Sequence, residues 1–182
     1  MGSPWPVIAC SAAGDRRRSG DRKGQGLDRG RNQSRENDPS SENLIEMPGF
    51  VWETMLTHIV RSLPAEGCGL LAFERRAATP MAVEFFAGEN VDRSSTHYTM
   101  APRDILRTLL EIDRRHLVLG AIIHSHPTTA ATPSPCDLAE ARYPNVLLGI
   151  VGMASLAPHL RFWRLPAVVG GDPVEVAWRL SP

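Results

Sequence analysis

Large apolar residues are sparse up to residue 46 and recur with regular spacing from Pro48 onward. Phe50, Val51, Met55, Leu56, Ile59, Val60 and Leu63 follow three- and four-residue steps, the stripe of an amphipathic helix that Pro48 can open and Pro64 closes. Gly67–Phe73 and Met81–Phe86 read as short apolar strands joined by a turn, hence a hairpin. His97–Met100 reads as a brief strand ahead of a second helix, Pro102 to about His116, with Ile105, Leu106, Leu109, Leu110 and Ile112 on one side. Leu117–Ile123 is an apolar β-type run. A short third helix opens at Ser134-Pro135 and extends to about Arg142. Val146–Met153 is apolar on both faces, as in a central strand, while Leu160–Leu165 and Val174–Leu180 alternate. The order predicts an α/β fold, a mixed β-sheet sandwiched by helices.

Composition sharpens the division. Residues 1–46 are rich in Gly, Ser, Asn, Asp and Arg and poor in large apolar side chains, so a disordered N-terminal extension is expected there, with the folded domain at 47–182. Twenty basic and twenty acidic residues cancel, which recommends neither nucleic acid nor an anionic membrane as a partner. No apolar run approaches the roughly 18 residues that span a bilayer. Three widely spaced cysteines, at 10, 68 and 136, argue against a disulfide framework and suit a cytoplasmic location.

The candidate chemistry gathers after the Leu117 run. His124 and His126, two apart on an extended chain, point to the same side. Ser134 at the N-cap and Pro135 at the first helical position put Asp137 in the first turn. Two imidazoles and a carboxylate form a three-ligand set that leaves a fourth zinc position open to water. The bland alternative for Ser134 and Asp137 is a variant of the capping box; a carboxylate that binds metal would be drawn away from that backbone. Cys68 reads as a small buried hydrophobe, and His58, His97, His116 and His159 as surface or structural residues.

The spacing His-x-His, seven residues, Ser-x-x-Asp resembles the signature of the JAMM (MPN+) zinc metallopeptidases, which include deubiquitinases and compact prokaryotic relatives. Over roughly 47–165 the resemblance implies a cytidine-deaminase-like JAMM fold. It implies Zn2+ on His124, His126 and Asp137, and it brings in Glu66 of Glu66-Gly67-Cys68-Gly69. In the family pattern Glu66 would be the general base and Ser134 a hydrogen-bond donor to the oxyanion. The short connections are similar to those of the compact prokaryotic type. For that type the implied substrates are ubiquitin-like or sulfur carrier proteins, cut after a C-terminal Gly-Gly. A non-catalytic MPN scaffold is the chief competitor, and such scaffolds usually lack a ligand that is present here. A TIM-type amidohydrolase barrel needs about 250 residues, more than this chain has.

Overall fold

The computed structural model describes residues 44–77, 79–139, 143, 145–166 and 171–181. The elements in chain order are β1 (Leu44–Pro48), α1 (Gly49–Ser62), β2 (Cys68–Phe73), β3 (Ala82–Gly88), α2 (Pro102–Arg114), β4 (Val118–His126), α3 (Pro135–Ala139), β5 (Leu147–Gly152), β6 (His159–Arg164) and β7 (Val174–Ser181). Seven strands form one sheet in the order β1-β7-β6-β5-β4-β2-β3. The β1–β7 and β4–β5 pairs are parallel and the others antiparallel, so the sheet is mixed as expected.

Alternation along the strands divides the core between two faces. Leu71, Phe73, Ala121, Ile123, Val151, Phe162 and Val176 meet Val51, Met55 and Ile59 of α1. On the opposite face Cys68, Leu70 and Ile122 pack with Ile105 of α2 and with Tyr98 and Met100 of the loop before it. Because Ile122, His124 and His126 share one parity, both histidines leave β4 on the α2 face. The register shift falls at Gly120, which breaks that parity, and a Cβ there would lie 2.3 Å from the ring of Phe73 on the α1 face, so no side chain fits.

Several expectations are corrected. Leu44–Glu46 belong to strand β1 rather than to an extension, because Ile45 and Met47 are wholly buried against α1 and β7. The expectation for the residues before Leu44 lies outside the described residues, as does the continuation of α3 to Arg142. His97–Met100 is not a strand: it contributes one isolated bridge, Met100 to Asn90, and its backbone is instead held by the Asn90 side chain, which accepts from Thr99 N–H and donates to the His97 carbonyl. On α1 Phe50 and Val60 are exposed, as is Leu63 just past its end, and on α2 Leu106 and Leu110 are, so both buried stripes are narrower than the spacing suggested. Among the described residues, no helix is long and apolar enough to cross a membrane.

The two sheet edges approach each other. Glu46 of β1 bridges Met81 in parallel fashion, with Glu46 N–H donating to the Pro80 carbonyl at 2.9 Å. The sheet thus curls around α1, and this contact covers one end of each edge strand.

Candidate active site

β4 ends in the site. It is central, between β2 and β5, and its last residues are buried. His124 and His126 bring their Nε2 atoms within 3.0 Å of each other. Asp137, from the first turn of α3, sets Oδ1 3.2 Å from His124 Nε2 and Oδ2 3.5 Å from His126 Nε2. The structure therefore brings all three proposed ligands together in the buried interior.

The cap and the carboxylate turn out to be compatible. Ser134 N–H donates to Asp137 Oδ2 at 2.6 Å, and Asp137 N–H donates to Ser134 Oγ at 3.2 Å, a reciprocal capping box with Asp in the third position. The carboxylate is not drawn away from the backbone; the same group caps the helix and faces both imidazoles. Burial pushes the Asp137 pKa upward, but the hydrogen bonds from His124 and His126 outweigh it and hold the carboxyl well below its ordinary range. For His126 burial acts downward, and hydrogen bonding to Asp137 and to the Ala130 carbonyl more than reverses it.

These donors suit a zinc ion. The Ala130 carbonyl can only accept, so at 3.0 Å it takes a hydrogen bond from His126 Nδ1, and a metal displacing the proton shared with Asp137 would find Nε2 presenting a lone pair. That nitrogen faces the His124 ring and a carboxylate, while His124 Nδ1 is buried and, among the described residues, has no hydrogen-bond partner. Two nitrogens each at about 2.0–2.1 Å from a tetrahedral zinc lie roughly 3.3 Å apart, close to the spacings among these three side chains.

Glu66 arrives through strand register. β2 pairs Cys68 with His124. Carried two residues further, that register sets Glu66 opposite His126. Ser125 continues the ladder: its N–H donates to the Gly67 carbonyl at 3.0 Å and its Oγ accepts from Gly67 N–H at 2.9 Å. The loop after β3 fastens Glu66 from the other side, with Asn90 Nδ2 donating to the Glu66 carbonyl and Glu66 N–H donating to the Ser94 carbonyl at 2.8 Å. Glu66 is 5% exposed, and burial raises its carboxyl to about 7, with the nearby charge of His126 acting downward and that of Asp137 upward.

Sequence reasoning missed three contributors. Tyr98 stacks on the His124 ring with centroids 4.8 Å apart and planes tilted by 21°. Ser125 and Asn90 position Glu66 as described. Ser125 was signposted by its place between the two histidines; Tyr98 and Asn90 sit in a connection without periodicity. Cys68 is buried and free, as expected, and burial pushes its thiol up to about 12.

Residues 50–166 match the family described as prokaryotic homologs of the JAB domain. The chain belongs to that family. Among its JAB-domain relatives, a "probable TtuB-protein conjugate cleaving protease" of Thermus thermophilus is 36% identical over 120 residues, 64% of this chain and 78% of the relative. A "CysO-cysteine peptidase" of Mycobacterium tuberculosis is 30% identical over 124 residues, covering 67% of this chain and 84% of that protein. The solution structure of DSY2949 from Desulfitobacterium hafniense superposes with a TM-score of 0.67 at 28% identity, over 75% of this chain and 92% of that one.

Proposed function

We propose that this JAB-domain protein is a zinc-dependent peptidase that hydrolyses the bond after the C-terminal Gly-Gly of a ubiquitin-like or sulfur carrier protein. The observation that supports the reading is a buried carboxyl, Glu66, two residues ahead of the Cys68–His124 strand pair, beside a convergent His-His-Asp set. The relatives named for cleaving TtuB conjugates and CysO-cysteine point to the same class of substrate.

His124, His126 and Asp137 would hold the metal. Zinc, when bound, supplies Lewis-acid chemistry, lowering the pKa of water and polarising a carbonyl. Glu66 takes the proton from the attacking water and passes it to the departing amine; a carboxyl near pKa 7 is matched to both transfers at neutral pH. Ser134 Oγ already accepts from Asp137 N–H, so its hydroxyl proton is left to donate to the oxyanion of the tetrahedral intermediate. Tyr98 covers the outer face of His124 and keeps water from that ring. The edge strand β3 ends at Gly88, paired with Cys68 two residues from Glu66. An extended tail added there as a strand gains backbone hydrogen bonds that do not read side chains, and glycines pass where larger residues would clash.

The test uses zinc-loaded protein, a carrier extended beyond Gly-Gly, and the same carrier with the second glycine replaced by leucine, the products being weighed by mass spectrometry. Cleavage after the second glycine of the first carrier alone is expected. Equal cleavage of both, or of neither while unrelated peptides are cut, would contradict the assignment.

A further inference from the structure

A metal-bound imidazole is held in its orientation by the group that accepts from its other ring N–H. For His126 that group is the Ala130 carbonyl, 3.0 Å from Nδ1. The acceptor belongs to the backbone of the loop 127–133, so the position of the loop decides where the ring points. Two residues outside the loop fix it. Gly152, the last residue of β5, lies opposite His126 in the parallel ladder, and Met153 N–H donates to the His126 carbonyl at 3.0 Å. A Cβ at 152 would fall 2.5 Å from the Ala131 amide nitrogen and 2.9 Å from the Ala130 carbonyl carbon. Those two atoms belong to the one planar peptide unit whose oxygen accepts from His126. The unit rests where a side chain would otherwise stand, and being backbone it has no flexible end to swing aside. The next carbonyl, that of Ala131, accepts from Trp163 Nε1 at 3.0 Å in a buried hydrogen bond. Ala131 is itself buried and packs in one cluster with Trp163, Leu148 and Ile150. Arg161 lies over the Trp163 ring at 4.4 Å and is held in turn by Glu175 of β7.

Resting on the metal site proposed above, we infer that Gly152 and Trp163 are positioning residues for His126: together they hold the Ala130–Ala131 backbone so that its carbonyl aims the ring at the metal. Neither needs to touch the ion or the substrate. A methyl group at 152 pushes the peptide unit off the end of β5 and draws the carbonyl away from Nδ1. An aromatic ring without a donor at 163 leaves the Ala131 carbonyl without that bond in a buried place, and the loop shifts to find another partner. Either change loosens the acceptor of His126, while β4 stays where its ladders to β2 and β5 put it.

Three variants of the full chain decide this: Trp163→Phe, Gly152→Ala, and Leu148→Ala, which opens the same apolar cluster but leaves both braces in place. The zinc affinity of each folded protein is measured by competition with a chelator. Trp163→Phe is expected to weaken it about tenfold and Gly152→Ala by about 10–100-fold, the usual scale for groups that orient a ligand from behind. Leu148→Ala should lower the melting temperature and keep the parent's affinity. In zinc-loaded protein, NMR should find the His126 Nδ1 proton exchanging with solvent faster in Trp163→Phe than in the parent or in Leu148→Ala. Should Gly152→Ala not fold, Trp163→Phe, which keeps an aromatic ring in the cluster, decides alone. Parental affinity or parental exchange in Trp163→Phe, or equal weakening by Leu148→Ala, would overturn the positioning role while leaving the peptidase reading in place. A parent that binds no zinc would overturn both.

Discussion

Glu66 is costly to fold with. Its carboxyl is buried beside Asp137 and titrates near 7 instead of its ordinary 4.5, so the native protein holds this proton more tightly than the unfolded chain does. The stability linked to that proton is fully present below about pH 4.5 and is lost as the pH rises through 7. In metal-free protein, Glu66→Gln should therefore raise the melting temperature at pH 8, and the gain should vanish toward pH 5. A melting temperature at pH 8 equal to or below that of the parent would mean that the carboxyl is not held in a desolvated place. At this scale the sequence was informative wherever chemistry imposed spacing: His124, His126, Ser134 and Asp137 are where the motif put them. It was silent on Tyr98, because stacking on His124 depends on how the loop from Asn90 to Met100 folds over β4, and no local pattern encodes that.

At the scale of elements, β1 matters most among the differences. Leu44-Ile45-Glu46-Met47 carries the alternation of a half-buried strand, with Ile45 and Met47 inward, but four residues beside a long polar stretch gave little periodicity to read. The strand exists because β7 offers it a parallel ladder and α1 offers it a core. A chain beginning at Met47 loses Ile45, the Glu46 bond to Pro80 and the Glu46–Arg179 ion pair. Chemical denaturation should find it less stable than a chain beginning at Leu44 by about 2–5 kcal/mol, the usual cost of removing a buried isoleucine side chain. Identical midpoints for the two would show that β1 adds nothing to the core. The helices were legible because each buries one face, although exposed Phe50 and Leu110 show that an apolar residue need not lie on it.

Across the whole molecule, one arrangement serves packing and chemistry together. The curled sheet buries α1 on one face, and on the other the parity that buries Ile122 also delivers His124 and His126 to the point where the segment leading into β2 supplies Glu66 and α3 supplies Asp137. Three segments meet there, one of them some sixty residues upstream of the others, which is why the motif could announce the site while the distances had to come from the fold. The central claim is that His124, His126 and Asp137 bind zinc while Glu66 acts on the reaction without holding the metal. The most direct check is zinc content per chain, measured by mass spectrometry on folded parent, His126→Ala and Glu66→Gln proteins after dialysis against a zinc buffer. One zinc is expected in the parent and in Glu66→Gln and almost none in His126→Ala; full occupancy in His126→Ala, or none in the parent, would contradict this assignment.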